Sequence, residues 1–317
     1  MAMPSVKPAG PYAIKKQRAK RDAEQARPEP KAATKLNILK AAKLERLKWL
    51  MHGFSTRQGG VTEEYGGTAL NLGITREDTH ANVASNRQRF MRALGAVEKN
   101  GTPWPLVNMK QVHSAIIHRV TGREMHSVTG DGLITDIPGI LLSVKTADCL
   151  PIVIVDPVRR AIGVFHAGWR GTVQRIVEKG VGEMRKHFGS DPADMLAAIG
   201  PGIGSCCYEV GDEVQTEFET QFAYATELFE QVFDSNSLHI KYPLLFMNQR
   251  APGHGAPAMK THLNLAKANL YQLRDAGVPE KNVEMLGLCT ACRTDIFFSH
   301  RIEYATGRMM AAVGIRS

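Results

Sequence analysis

Two histidines and one cysteine sit in short motifs able to hold a metal: His113 in QVH, Cys149 in TADCLP and His166 in FHAGWRG. Each falls where a strand ends or a turn begins. Cys149 lies two residues before Pro151, a residue that limits pairing on both sides of a strand. His166 follows the apolar run AIGVF and precedes Ala-Gly, which offers its side chain to a loop. Two imidazoles and a thiolate suit Zn2+, and three protein ligands leave a fourth position for water or substrate. Copper is the alternative ion for such a set. Separations of 36 and 17 residues make no local motif. On spacing alone the plainer reading is favoured: a small buried thiol and two hydrogen-bonded loop histidines.

The other four cysteines are Cys206–Cys207 and the pair in CTAC, Cys289 and Cys292. Together they would make a four-thiolate structural site. Adjacent cysteines rarely reach one tetrahedral ion, so they are expected to be unconnected thiols. No H-x-E with P-C-x-x-C of the zinc deaminases is present, nor any H-x-H pair. The turn GPGIG at 200–204 lacks the final glycine of a dinucleotide fingerprint and reads as a tight turn. Arg57 in TRQGG and Asn71 in LNLG stand on glycine-rich loops. An arginine there suits a carboxylate or phosphate, or is simply a solvated turn residue.

Elements must position these groups. Thr79 and Gly95 bracket a helix over 79–94, with Val83, Phe90 and Leu94 on one face. The runs 140–144, 152–155 and 161–165 are β-branched and bounded by Gly or Pro, as buried strands are. Val173, Ile176, Val177, Met184 and Phe188 mark the buried side of one helix. A strand is expected at 195–199, helices near 210–222 and 264–276, and strands at 283–288 and 309–315. Residues 225–260 read as an excursion. Helices and strands mix without strict alternation, which predicts a single α+β domain.

Of 317 residues, 43% are hydrophobic and 22% charged, ordinary for a globular chain. No apolar run reaches the ~18 residues of a membrane span, and the first 30 residues hold no signal-peptide core. An odd five cysteines argue for a reducing, cytoplasmic compartment. Residues 1–48 carry 13 of the 40 Lys/Arg and 4 of the 31 Asp/Glu, which accounts for the whole net charge of +9. That stretch reads as a disordered basic tail, with 49–317 as the catalytic domain. A solvated leader is favoured over a polyanion-binding arm. Asp22, Glu24 and Glu29 argue against a mitochondrial presequence.

Taken in order, STRQGGV, LNLG, NRQRF, QVH, GDGLIT, SVKTADCLPIVIVDP, IGVFHAGWRGT, IGPGIGSCCYEVGDEV and HLNLAKANLYQL resemble one family over about residues 49–317. FFSHR and TGRMMAAVGI complete the set. The chain resembles the YfiH-like laccase-domain family, also called the multicopper polyphenol oxidase or purine nucleoside phosphorylase family. The resemblance implies a four-layer α-β-β-α sandwich. It implies a metal, usually zinc, on His113, Cys149 and His166. It further implies phosphorolysis of adenosine, inosine, guanosine or methylthioadenosine, together with adenosine deamination. Some similar bacterial proteins are instead assigned to removing a wrongly added serine from the UDP-muramic acid precursor. Oxidation of polyphenols ranks lower, because the ligand sets of multicopper oxidases are absent. The family's usual SYRRD is SHRIE here, with His300 for Tyr and Ile302 for Arg.

Under the zinc reading, a zinc-activated water attacks C6 of adenine. Arg57 with Gly59 and Gly60 is the expected phosphate site. Asn71 and, more weakly, Arg170 are further substrate contacts. Asp131 is ranked above Asp148 as the group that moves protons, because strand alternation turns Asp148 away from Cys149. The rival enzyme is a metal-independent thiol hydrolase with Cys149 as nucleophile, activated by His166 or His113. A nucleic-acid-binding role confined to the tail ranks last, since the rest of the chain has no net charge. The expected partners are a nucleoside and phosphate, with no membrane. The oligomeric state stays open.

Overall fold

The computed structural model describes residues 36–123, 128–233 and 259–316. Residues 1–35 of the expected tail, and 234–258 of the excursion, lie outside the described residues. The strands are β1 (Ile38–Leu39), β2 (Leu50–Ser55), β3 (Gln58–Thr62), β4 (Leu106–Val107), β5 (Ile117–Arg119), β6 (Gly132–Thr135), β7 (Leu141–Thr146), β8 (Leu150–Asp156), β9 (Ala161–Ala167), β10 (Leu196–Ile199), β11 (Glu209–Val210), β12 (Phe229–Phe233), β13 (Met259–Leu263), β14 (Val283–Met285) and β15 (Met309–Ile315). The helices are α1 (Ala42–Glu45), α2 (His80–Leu94), α3 (Trp169–Val173), α4 (Ile176–Phe188), α5 (Asp212–Gln221), α6 (Leu265–Asp275) and α7 (His300–Glu303).

Alternation along β8 builds the layers. Ile152 and Ile154 face outward to pack with Phe165, Val177 of α4 and Leu273 of α6. Val153 and Val155 face the other way and meet Leu142, Val144 and Val313. That inner core joins a six-stranded sheet, β14-β10-β8-β9-β6-β5, to a five-stranded one, β1-β2-β15-β7-β4. On the far side of the second sheet, Met51, Leu141, Met310 and Ala312 meet Phe90, Met91 and Leu94 of α2. The chain is thus a single α+β domain with the four-layer α-β-β-α arrangement the motifs implied. A small third sheet, β11-β13-β12, lies beside it in sequence. No described helix is long and apolar enough to cross a membrane.

Pro151 is tolerated because it stands at the end of β8. It faces His166 on β9, but pairing with β10 begins only at Ile152. Three glycines close over the ring of Phe165. A Cβ on Gly132, Gly163 or Gly180 would come within 2.8, 2.8 or 2.5 Å of it. Gly180→Ala in α4 should gain up to about 1 kcal/mol of helix propensity and lose about 1–3 kcal/mol to overpacking. A lower Tm is expected; a higher one would mean that the ring can give way.

Three expectations need correction. Residues 36–48 are not tail: β1 pairs antiparallel with β2, Ala41 and Leu44 are fully buried, and the Glu284 carboxylate accepts the Ala42 and Lys43 amides at 2.9 and 2.7 Å. The averaged charge hid the apolar residues between the lysines. The helix expected through 173–188 is two, α3 and α4, because Arg175 takes a left-handed conformation (φ 62°, ψ 44°). The strand expected at 283–288 stops at Met285, before Gly287 at φ 65°.

Candidate metal centre and cleft

The TADC motif is the crossover between the two large sheets. β7 belongs to one and β8 to the other, so the chain must turn within Ala147–Cys149, and Asp148 does so at φ 88°. His166 stands near the end of β9, opposite Pro151. The QVH loop is tied down from two directions. Gln111 exchanges two 2.8 Å hydrogen bonds with the backbone of Lys145. The amides of Val112, His113 and Ser114, and the Ser114 hydroxyl, all donate to Asp131 at 2.7–3.2 Å. His113, Cys149 and His166 thereby bring one ligand atom each to within 4.8 Å of one another. The two imidazoles meet edge to face, centroids 4.9 Å apart. Gly168 is required by this convergence, since a Cβ there would lie 2.9 Å from Cys149 Sγ and 3.0 Å from the His113 ring.

Asp131 is fully buried and does not open on the cleft. It was expected to move protons; instead it orients His166, with its Oδ1 2.8 Å from Nδ1. Burial alone would raise its pKa, but the bonds from His166 and Ser114 hold it at about 2. It is therefore a pure acceptor, so Nδ1 carries a proton to it and Nε2 is the ring atom that remains to bind a metal. Carboxylate–histidine–metal arrangements have this form. Burial likewise opposes ionisation of the Cys149 thiol, yet the neighbouring His166 and His113 bring it below its ordinary value. Cys149 and Asp131 together raise His166 against the effect of its burial. Without an ion these shifts favour a thiolate beside an imidazolium; zinc takes the thiolate and, on loss of the Nε2 proton, the neutral imidazole, so the residues fit the ion.

The three residues lie in a cleft of about 580 Å³. Among the described residues, Arg87, Lys110, Lys145, Arg301 and Arg308 also line it, against the single carboxylate of Asp148. That carboxylate is already engaged by the Thr290 hydroxyl and the Arg301 amide, both at 2.7 Å. The cleft is therefore a cationic funnel. Burial first, and then Arg87, depress the Lys145 pKa to about 8. Sequence reasoning missed this set of cations. The one available signal was Lys145 itself, a lysine inside the apolar strand LLSVKT beside TADC.

The cations chosen from sequence lie elsewhere. Arg57 is spent on structure: it binds Glu303 at 2.7 Å and the carbonyls of Thr294, Phe297 and Tyr65, and lies over Phe298. The Gly60 amide likewise goes to Thr68 O. Asn71 is fully buried. Its carbonyl accepts the amides of Gly73 and Arg308, and its amide donates to Asp78. It thus places Arg308 rather than a ligand. Arg170 stacks on Trp169 at 4.3 Å and does not line the cleft. Asp148 braces the C-terminal loop. In the SHRIE segment, His300 and Arg301 line the cleft, while Ile302 is exposed outside it. The GPGIG amides of Gly200, Gly202 and Ile203 are used by protein carbonyls, which leaves a tight turn.

Residues 51–316 match the family described as Multi-copper polyphenol oxidoreductase laccase. Purine nucleoside phosphorylase YlmD of Geobacillus stearothermophilus is 35% identical over 292 residues, covering 84% of this chain and 94% of that protein. Adenosine deaminase RL5, from an unknown prokaryotic organism, is 32% identical over 273 residues, 83% of this chain and 93% of its own. The crystal structure of Bacillus licheniformis hypothetical protein YfiH superposes with a TM-score of 0.73 at 30% identity, over 91% of this chain and 98% of that one. Motifs, layers and matched length agree: the chain belongs to the multi-copper polyphenol oxidoreductase laccase family, within its YfiH-like members.

Proposed function

We propose that this chain is a zinc-dependent purine nucleoside enzyme of a reducing cytoplasm, which phosphorolyses purine nucleosides and deaminates adenosine. The carrying observation is the His113–Cys149–His166 group at a cleft that Arg87, Lys110, Lys145, Arg301 and Arg308 line. Relatives named purine nucleoside phosphorylase and adenosine deaminase support the choice of substrate. Held by these three residues, a zinc ion would supply Lewis acidity and bring the pKa of a water toward about 7. In phosphorolysis a phosphate oxygen bonds to C1′ as the C1′–N9 bond breaks, and the purine leaves with the electron pair and takes up a proton. Lys145, Arg87 and Arg308 hold the phosphate, Asn71 fixes Arg308, and Asp131 fixes His166. In deamination, water adds at C6 and ammonia leaves, with no need of the phosphate site. The test is adenosine with and without phosphate, before and after chelation. Adenine with ribose 1-phosphate, and inosine, are expected from the untreated protein only.

Lys145 divides the two reactions. Its ammonium loses its proton above about pH 8, so the KM for phosphate is expected to rise as pH passes 8. Lys145→Arg should move that limb upward. Lys145→Met should raise the phosphate KM on the order of 10-fold at pH 7, the loss of one charge-assisted hydrogen bond, and leave deamination nearly unchanged. An equal loss in both reactions would place the phosphate elsewhere.

A second reading rests on the lowered Cys149 thiol beside His166, itself held by Asp131. That order of groups suits a thiol amidase acting on an acidic, serine-bearing cell-wall precursor. Activity that survives chelation and dies on alkylation of Cys149 would favour it.

A further inference from the structure

The four remaining cysteines come together. Cys206, Cys207, Cys289 and Cys292 place their sulfurs within 4.8 Å of one another, with Cys292 Sγ 3.4 Å from Cys206 Sγ and 3.3 Å from Cys207 Sγ. All four are free thiols. We infer that they form a second metal site, a structural Zn2+ held by four thiolates, separate from His113–Cys149–His166.

Backbone geometry builds the site. Gly202 and Cys289 form a parallel bridge, with Gly202 N donating to Leu288 O at 3.2 Å and Thr290 N to Gly202 O at 3.0 Å. This aligns the start of CTAC with the GPGIG turn. The chain then folds over Gly204, whose carbonyl accepts the amides of Cys207 and Tyr208, both at 3.0 Å. Within this turn Cys206 and Cys207 both reach Cys292, so adjacency in sequence does not prevent a shared ion. His262 Nδ1 holds the turn through Ser205 O at 2.6 Å. Gly204 N also donates to Cys289 Sγ at 3.2 Å, the kind of outer hydrogen bond that stabilises a thiolate ligand. A Cβ at Gly204 would stand 3.2 Å from Cys206 Sγ and 3.3 Å from Cys289 Cβ, so the sulfurs close over a glycine.

The spacing selects a single ion. Zn–S bonds of about 2.3 Å in a tetrahedron put sulfurs roughly 3.8 Å apart, close to the distances here. A cluster of several irons carries its cysteines on the outside and spreads them wider. The site joins two segments that flank the cleft. Ile203 and Tyr208 line it from one, and Thr290 holds Asp148 beside Cys149 from the other. Its role is that of a brace, and it does not depend on the nucleoside reading.

The test uses the full chain and zinc alone. Cys149→Ala/His166→Ala protein is expected to retain about one zinc per chain by elemental mass spectrometry, and adding Cys289→Ser/Cys292→Ser should remove it. Cobalt(II) exchanged into the first variant should show the intense thiolate-to-metal absorption of a four-sulfur site. Wild-type protein offers a reading that needs no variant: X-ray absorption should find about 2.5 sulfurs per zinc, averaging a four-sulfur and a one-sulfur site. The inference is overturned by about one sulfur per zinc, by iron in place of zinc, or by a metal-free first variant whose four cysteines alkylate freely or form disulfides.

Discussion

Cys149→Ala is expected to reduce both nucleoside activities on the order of 10³-fold or more, because groups acting as one unit lose nearly everything when one is removed. The fold should survive. Cys149 is half-buried on a crossover loop, and its neighbours Asp148 and Leu150 are held by their own hydrogen bonds and packing. Two readouts make the result specific. Zinc bound by His113, Cys149 and His166 should be lost, since two imidazoles alone leave a weak site. Thermal stability should fall below that of the zinc-loaded wild type, while the ion on the other four cysteines stays, because an ion that binds only the folded chain stabilises it by mass action. If metal content and Tm stay at wild-type values while activity vanishes, Cys149 is a nucleophile and the thiol reading replaces the zinc one. If activity stays, neither mechanism holds.

What could be read from the chain depended on how local the cause was. The helix at 80–94 was legible because its signals are its own: the Thr79 side chain accepts the Asn82 amide and Gly95 is left-handed. Strands β8 and β9 were legible from composition, since burial on both faces leaves an unbroken β-branched run. The break at Arg175 was not, because nothing in RIVEKG favours a positive φ. Arg57 was misread for the same reason in reverse. Its glycine-rich neighbours suggested an anion, but its partners Thr294, Phe297 and Glu303 lie at the other end of the sequence. The cationic cleft draws single residues from positions 87, 110, 145, 301 and 308, so only topology reveals it. The three metal-capable residues were visible through their motifs, while their spacing alone argued against them.

Asp131→Asn tests whether one buried carboxylate builds the site. Its Oδ2 accepts from Val112 N, Ser114 N and Ser114 Oγ, and its Oδ1 from His113 N and His166 Nδ1. Every one of these partners is a donor. An amide must point its NH2 at one of the two sets, so either orientation sets donors against donors inside a fully buried pocket. Turned toward His113 and His166, it would press the imidazole to shift its proton to Nε2, the atom a metal needs. Turned the other way, it would loosen the loop that carries His113. Activity is therefore expected to fall on the order of 10²- to 10⁴-fold, and metal affinity about 10- to 100-fold. Each donor left unpaired should also cost about 1–3 kcal/mol of stability. Ser114→Ala provides the contrast: it removes one hydroxyl, leaves the backbone amides in place, and should cost little in metal affinity. Wild-type zinc affinity in Asp131→Asn would show that His113 and His166 are held by packing alone. A fall in stability without a fall in affinity would assign Asp131 to folding and leave the tautomer of His166 to another cause.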